Sequence, residues 1–254
     1  MSSREQVQAG LAAAVAGPGR GLPVADELCR ACVELLGLDA AAVSVTVDGR
    51  MRGTFGSSGQ LARRLDELQF TFGEGPCLDA AARGMPVLVA DLAGLSRTAW
   101  PAYAGAVQEH GMQAVFALPV TVAASLVGAL DLYRRRPGPL SDDDLAGALR
   151  AAEFAALPLL DLLTGIAERR AASTGVDADT ESEFGALQQV EINQAIGMIM
   201  GQLDVGPVTA LARLRGHAFA TGKTARAVAW AIVERRLVLD DDLQCGGNGE
   251  GGWA

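Results

Sequence analysis

Residues 189–239 contain three successive helical patterns separated by short breaks. In the first pattern, apolar residues recur at spacings of three and four, as on one face of an amphipathic helix: Ile192, Ile196, Ile199 and Leu203. Gly206-Pro207 and Gly222 supply the breaks, because proline starts helices readily and glycine ends them. The segment therefore predicts a compact bundle of three packed helices.

A neighbouring face of the first helix has almost no side chains. Asn193, Gly197 and Gly201 recur there every four residues. A glycine inside a helix costs on the order of 1 kcal/mol relative to alanine. We therefore expect that another backbone, helix or ligand approaches this strip closely.

Three spaced blocks in this segment resemble the ANTAR domain: Gln194, Ala195, Gly197, Ile199 and Met200; Ala210, Leu214, Arg215 and Ala218; Val228, Ala229, Ile232 and Val233. The resemblance implies a three-helix module over residues 184–239 that binds RNA and acts in transcription antitermination. The chain departs from the pattern at Ile196, where many members carry a lysine.

The charge distribution agrees with a nucleic-acid partner. Between Val190 and Leu239 there are six basic and three acidic residues, a net +3, whereas the whole chain carries −9 and the remainder therefore −12. RNA loops are bound through base edges and through cations on phosphates. The predicted RNA-binding residues are Gln194, Ala195, Gly197, Gly201, Arg213, Arg215, Lys223 and Arg226.

Two alternatives to RNA binding stay open at this point. Helices two and three are joined by a short turn that contains Gly222, an arrangement that also fits a DNA-binding helix-turn-helix. The three helices could also serve only for dimerisation.

The preceding part of the chain predicts an antiparallel sheet with flanking helices. Residues 41–47 alternate as a half-buried strand, Asp48-Gly49 is a hairpin turn signal, and residues 51–56 form the returning strand. The apolar run 112–130 is interrupted by Pro119, which disfavours a membrane helix and favours two paired strands. A further strand is predicted at 86–90, and helices at 6–15, 22–36, 57–68, 77–82, 100–110 and 145–171.

A glycine- and proline-rich segment, residues 69–77, predicts a rigid irregular loop. The part Phe72-Gly73-Glu74-Gly75-Pro76-Cys77 resembles the GAF domain, together with Pro119-Val120, residues 128–132 and the helix start Asp142-Asp143-Asp144. The resemblance implies an α+β sensor domain with a small-molecule pocket on one sheet face and dimerising helices on the other. A GAF domain followed by an ANTAR domain is similar to a known arrangement of actinobacterial regulators.

Aromatic residues are scarce and concentrated in this first part of the chain. Apolar side chains usually line ligand pockets, so the predicted ligand-pocket residues are Phe55, Phe70, Phe72, Cys77, Trp100 and Phe116. The alternative is that these aromatic side chains only fill the core.

No constellation of catalytic residues is recognisable. The two histidines, His110 and His217, lie in different domains, and Cys29 and Cys32 form a single pair where zinc needs about four ligands. Cys77 is either a core cysteine or, with a lowered thiol pKa, a redox sensor. We therefore expect no enzyme, no metal and no cofactor.

The N-terminus lacks the apolar run of a signal peptide, which predicts a cytoplasmic protein. The dimerising helices that the GAF resemblance implies predict a homodimer. A sensor domain at residues 1–171 would detect a signal, and a linker at 172–183 would transmit it. The domain at 184–239 would bind hairpin loops of nascent RNA and favour antitermination, and residues 240–254 would form a disordered tail.

Overall fold

The computed structural model describes residues 3–17, 19–47, 50–95, 98–172 and 190–239. The predicted Asp48-Gly49 turn, most of the predicted linker, residues 184–189 and the predicted tail lie outside the described residues. The chain divides into two compact units, Met1–Val190 and Glu191–Ala254.

The first unit is built on a five-stranded antiparallel sheet in the order β2-β1-β5-β4-β3. The strands are β1 Ala40–Val47, β2 Arg50–Ser57, β3 Val87–Val89, β4 Ala114–Val122 and β5 Ser125–Arg134. The apolar run 112–130 thus forms a hairpin, as predicted. Ala123 and Ala124 turn it with φ of 48° and 65°, the left-handed values of a tight hairpin turn.

Within the described residues, six helices flank this sheet: α1 Ser3–Val15, α2 Leu22–Leu35, α3 Gln60–Phe72, α4 Pro76–Arg83, α5 Tyr103–Glu109 and α6 Asp142–Ala172. The start of α6 agrees with the prediction, because the Asp144 N–H donates to Ser141 Oγ at 3.1 Å. The Ser141 hydroxyl in turn donates to the Asp144 carboxylate at 2.7 Å. The predicted α+β fold class is confirmed.

Alternation along the strands creates two cores, one on each face of the sheet. Leu28 of α2, Val43 of β1 and Leu132 of β5 belong to the first core, beneath α1, α2 and α6. Leu65 of α3 and Tyr133 of β5 belong to the second, beneath α3 and α5. Successive residues of β5 therefore point into different cores.

The extent of the predicted loop at residues 69–77 was wrong. Helix α3 continues to Phe72 and ends at Gly73, whose φ of 70° gives a left-handed C-cap. Only Gly73–Gly75 connects α3 to α4. The predicted helix 100–110 also begins later, at Tyr103, because Trp100 has a non-helical φ of 49°.

The second unit has the three predicted helices, α7 Val190–Leu203, α8 Pro207–Ala220 and α9 Ala225–Val233. Pro207 begins α8, Gly222 has φ of 62°, and Thr224 Oγ1 caps α9 by accepting the Ala227 N–H at 3.2 Å. The core of this unit comprises Ile192, Ala195, Ile199, Ala210, Leu214, Ala218, Val228, Ala229 and Ile232.

Of the helices in the described ranges, none is by itself long and apolar enough to cross a membrane. Helices α7 and α8 reach the length and apolar content of a membrane-spanning segment only when taken together, and the pair is bent by 105°.

Candidate functional site: a buried polar cluster and an exposed glycine strip

The second core of the first unit contains a group of buried polar side chains. Ser44, Thr54 and Asp131 contribute from three neighbouring strands, and Asp66 and Gln69 lie one turn apart on α3. Cys77, in the first turn of α4, completes the group, which we call the polar cluster: Ser44, Thr54, Asp66, Gln69, Cys77 and Asp131. Because these residues are far apart in the sequence, their proximity depends on the fold.

Hydrogen bonds fix the Asp66 carboxylate. Ser44 Oγ donates to Asp66 Oδ1 and Thr54 Oγ1 donates to Asp66 Oδ2, each at 2.5 Å. Such short O–H···O⁻ distances are typical of hydrogen bonds to a charged acceptor. Both oxygens of this carboxylate are therefore held in place from β1 and β2.

The amide of Gln69 links three elements of the fold. Gln69 Nε2 donates to Asp131 Oδ2 at 3.1 Å, and Gln69 Oε1 accepts the Cys77 N–H at 2.8 Å. One side chain of α3 therefore binds β5 with one end and the first turn of α4 with the other.

Glu74 and Gly75 lie in the corner between α3 and α4, the connection Gly73–Gly75. A Cβ on Gly75, where φ is 142°, would collide with the Gln69 side chain. Glu74 Oε1 accepts the N–H groups of Ala102 and Tyr103 at 2.7 and 2.9 Å, which caps the start of α5. The glycine-rich connection thus supplies close packing on one side and a helix cap on the other.

Burial dominates the electrostatics of the polar cluster. It raises the pKa of Asp131 well above the usual range, and the nearby Asp66 carboxylate raises it further. Burial also raises the pKa of Asp66, although the hydrogen bonds from Ser44 and Thr54 oppose this effect. In the described part of the chain, neither carboxylate forms an ion pair with a Lys or Arg side chain.

Three buried oxygen atoms at the polar cluster have no hydrogen-bond partner among the described residues: Asp131 Oδ1, Tyr103 Oη and Tyr133 Oη. Tyr133 follows Asp131 by two residues on β5 and so shares its sheet face. Burial raises the pKa of both tyrosines well above the usual range, and the charges of Asp131 and Asp66 add to the shift. One ligand atom from each of Asp66, Cys77 and Asp131 lies within 4.8 Å of the others.

The structure does not bring the six predicted pocket residues together. Phe55 and Phe116 lie in the first core, whereas Phe72 and Trp100 pack against the second, on the opposite face of the sheet. Cys77 is buried in the polar cluster on the same side as Phe72, and Phe70 is half-buried near the end of α3. A single pocket lined by all six side chains is therefore excluded by the sheet between them.

The cysteines of the first unit behave as core residues. Cys29 and Cys32 are wholly buried in the first core, which agrees with the interpretation of this pair as packing. Burial raises the pKa of Cys32 to about 12. Burial also raises the pKa of Cys77 well above its usual range, which is opposite to the lowered thiol pKa that the redox-sensor alternative requires.

In the second unit, the predicted glycine strip lies on the surface. Gly197 and Gly201 are exposed, and a Cβ built on either would meet no heavy atom within 4 Å. Gln194 and Asn193 are also exposed on α7. Ala195 is wholly buried, because it points into the three-helix core, so its side chain does not contribute to this surface.

The predicted cations lie on the two following helices and the turn between them. Lys223 is exposed, and Arg213 and Arg215 are half-buried on α8. Burial lowers the pKa of Arg215. Arg226 Nη2 forms a salt bridge of 3.1 Å with Glu191 Oε1, which links the starts of α9 and α7.

Two aromatic residues of the second unit were missed in the sequence analysis. Phe219 and Trp230 are 61% and 50% exposed, although they belong to helices with buried apolar faces. Large aromatic side chains on a surface are suited to stacking on unpaired bases. The sequence could have predicted the exposure of Trp230, because it does not share the helical spacing of the buried residues Val228, Ala229 and Ile232.

Comparison with known proteins identifies two domains. The sequence profile of the GAF domain matches residues 24–157, and that of the ANTAR domain matches residues 187–233. A search of curated proteins finds no match.

Solved structures similar to the first unit are GAF domains and related folds. The GAF domain of a phosphoenolpyruvate-protein phosphotransferase from Coxiella burnetii is 18% identical with a TM-score of 0.50, over 67% of this chain and 96% of that chain. The corresponding domain from Acinetobacter is 11% identical, with a TM-score of 0.49, over 68% and 98% of the two chains. A free methionine-R-sulfoxide reductase from Neisseria meningitidis, solved with its substrate, is 15% identical, with a TM-score of 0.45, over 64% and 89%. At these identities, the similarity to the Coxiella domain shows the fold alone.

Proposed function

Because this chain belongs to the GAF domain family and carries an ANTAR domain at its C-terminus, we propose that it is a signal-responsive transcription regulator that binds hairpin loops of nascent RNA. RNA binding would favour antitermination. GAF and ANTAR domains are regulatory domains, so the proposal includes no catalytic step.

The observation that supports RNA binding most directly is the open strip at Gly197 and Gly201. Each glycine weakens α7 by about 1 kcal/mol relative to alanine. The described part of the chain does not use the space that their missing side chains leave. A base edge or sugar-phosphate backbone from outside can use it by approaching the helix backbone closely.

Cations on α8, on α9 and in the turn between them would hold the phosphates. Lys223 is exposed and available to a phosphate oxygen, and Arg213 and Arg215 extend from α8. Arg226 is already paired with Glu191, so a phosphate at this position must exchange with a carboxylate. The pair is partly buried, with side chains 39% and 18% exposed, so the phosphate would have to replace the carboxylate as the charged partner of Arg226.

The proposal extends to the oligomeric state of the first domain and to its small-molecule ligand. Leu149, Leu157 and Leu160 of α6 remain 42%, 51% and 42% exposed, which supports a homodimer formed through this helix. Phe72, Cys77 and Trp100 lie on the same side of the sheet, and we place the small-molecule signal there. The signal would act by binding one dimer geometry better than another, in a cytoplasmic protein.

A competition experiment tests the RNA assignment. Labelled RNA with a stem and an unpaired loop is bound to the full chain at fixed salt, and loop RNA, fully paired RNA and duplex DNA compete. We expect only loop RNA to displace the label. Preferential displacement by duplex DNA would support the helix-turn-helix alternative, and a dimer that retains none of the three would leave dimerisation as the role of the second unit.

Antitermination requires a separate measurement. An RNA selected from a random pool by the full chain is placed upstream of a terminator in a purified transcription reaction. The proposed activity predicts that the protein increases full-length transcript, and that mutation of the RNA loop abolishes the increase. Tight binding with unchanged termination would contradict this part of the proposal.

A further inference from the structure

The polar cluster combines two carboxylates and a thiol in a site from which solvent is excluded. Asp66, Cys77 and Asp131 are each wholly buried. Buried carboxylates are normally paired with a cation or coordinated to a metal. Among the described residues, neither Asp66 nor Asp131 forms an ion pair with a basic side chain. Burial raises the pKa of Asp66, and the Arg63 charge opposes this shift only from beyond ion-pair distance, so no described cation contacts either carboxylate directly.

One carboxylate oxygen of this cluster has no hydrogen-bond partner among the described residues. Asp131 Oδ1 accepts no hydrogen bond, although Oδ2 of the same carboxylate accepts one from Gln69. A buried polar atom without a partner is costly, and a cation bound at Asp131 Oδ1 would satisfy this atom.

The spacing of the donors suits one metal ion. Zinc binds thiolate sulfur at about 2.3 Å and carboxylate oxygen at about 2.0–2.2 Å, so the ligand atoms around one ion lie roughly 3.5 Å apart. The donor atoms of Asp66, Cys77 and Asp131 lie within 4.8 Å of one another. Movements of about 1 Å in these side chains would bring all three to ligand distance.

Hydrogen bonds from neighbouring side chains already hold both carboxylates in place. Ser44 and Thr54 orient the Asp66 carboxylate, and Gln69 orients that of Asp131. Asp66 Oδ2 accepts one hydrogen bond from Thr54 and keeps a second lone pair for an ion, and Asp131 Oδ1 has no partner among the described residues. Such outer hydrogen bonds fix metal ligands in position and are a regular part of protein metal sites.

We propose that Asp66, Cys77 and Asp131 bind a divalent first-row transition ion of the zinc type. A thiolate favours such ions over magnesium and calcium, which take oxygen ligands only. The bound ion would supply positive charge to both carboxylates and would keep the Cys77 sulfur deprotonated. This inference is independent of RNA binding, because every residue in it belongs to the first unit.

Cobalt(II) is the probe for the test, because its bond to a thiolate gives a charge-transfer band in the near ultraviolet. The full chain is stripped of metal under reducing conditions and titrated with cobalt(II), and zinc(II) is then added. We expect the band to saturate at one equivalent and to disappear when zinc(II) displaces the cobalt(II).

Substitutions at single residues show which side chains bind the cobalt(II). Cys77→Ser should abolish the band, and Asp131→Asn, which preserves shape, should weaken cobalt(II) binding at least about tenfold, as loss of one ligand does. The controls Cys32→Ser, in the first core, and Cys245→Ser should leave the titration unchanged. Circular dichroism and thermal unfolding of each variant check that it is folded.

Two results would overturn the proposal. One is the absence of a charge-transfer band in the folded wild-type chain at millimolar cobalt(II). The other is a band that survives in Cys77→Ser or is lost in one of the control variants, because cobalt(II) would then bind elsewhere.

Discussion

Gly197 and Gly201 differ from the glycines of the first unit in their surroundings. A Cβ on Gly128 would collide with the Ser44 carbonyl oxygen, and one on Gly56 would lie 2.5 Å from Ala25 Cβ. The close packing of the first unit therefore requires both of these glycines. Packing among the described residues imposes no such requirement at Gly197 or Gly201.

This difference predicts opposite effects on stability and on binding. Gly197→Ala and Gly201→Ala should each increase the free energy of unfolding by up to about 1 kcal/mol, because alanine is the better helix former. The added methyl groups should weaken loop-RNA binding by at least about tenfold, or 1.4 kcal/mol. Chemical unfolding and fluorescence anisotropy at one salt concentration measure the two effects.

Gly216→Ala is the matched control, since Gly216 also lies within a helix and a Cβ there meets no heavy atom within 4 Å. This variant should gain similar stability and retain its RNA affinity. Unchanged RNA affinity in both strip variants would show that the strip does not contact RNA.

The buried thiol of Cys32 leads to a prediction about alkaline pH. Its pKa is raised from 9.0 to about 12 in the folded chain, so above pH 9.0 the unfolded chain loses a proton that the folded chain keeps. The folded state then binds more protons than the unfolded state, and stability falls as pH rises from 9.0 towards 12. Cys32→Ala should reduce this slope by up to about 1.4 kcal/mol per pH unit.

Urea unfolding of both proteins at neutral pH and at about pH 10 measures the slopes. Any cavity left by Cys32→Ala lowers stability equally at both pH values and cancels in the comparison. Parallel pH profiles for the two proteins would contradict the assignment.

At the scale of elements, the corner between α3 and α4 depends on Gly75. Its φ of 142° is unfavourable for any other residue, and the Gln69 side chain occupies the position of a Cβ. Gly75→Ala should destabilise the first unit by about 1–3 kcal/mol, the usual cost of a strained backbone position. Urea unfolding followed by circular dichroism measures this loss.

Gly105→Ala provides the comparison, because Gly105 lies within α5 and a Cβ there meets no heavy atom within 4 Å. That substitution should leave stability unchanged or increase it slightly. Equal effects of the two substitutions would show that the corner tolerates a side chain.

The elements that the sequence predicted correctly are those with a strong local signal. Valines at every second position, such as Val43 and Val45, predicted β1, and Pro119 within an apolar run predicted a hairpin instead of a membrane helix. Ser141 before three aspartates predicted the start of α6. The end of α3 was predicted too early, because residues 69–77 combine two phenylalanines with a turn-rich composition, and only the conformation of Gly73 decides where the helix stops.

The polar cluster could not be predicted from local patterns. Asp131 stands between two leucines on β5, and Asp66 lies among the polar positions of an amphipathic helix. Each is unremarkable in its own segment. Only the pairing of β1 with β5 and the packing of α3 on them bring the two carboxylates together.

At the scale of the whole molecule, the uneven charge predicts salt-dependent RNA binding. Each phosphate contact to single-stranded nucleic acid contributes about −0.7 to the slope of log K against log salt. Contacts from Arg213, Arg215, Lys223 and Arg226 would together give a slope of roughly −3. Lys223→Gln should reduce the magnitude of that slope by about 0.7.

Fluorescence anisotropy across a salt series measures the slope. Arg20→Gln, an exposed substitution in the first unit, is the control and should leave it unchanged. A slope near zero in the wild-type chain would contradict phosphate binding by these cations.

Two of the hydrogen bonds of Gln69, those with Asp131 and with the Cys77 N–H, have a mechanical consequence. A carboxamide is planar and rigid, so rotation that carries its nitrogen away from Asp131 also carries its oxygen away from the Cys77 N–H. A displacement of Asp131 on β5 would therefore also alter the contact between Gln69 and the first turn of α4. A ligand or ion that binds beside Asp131 and moves its carboxylate would thus also move the first turn of α4 through Gln69.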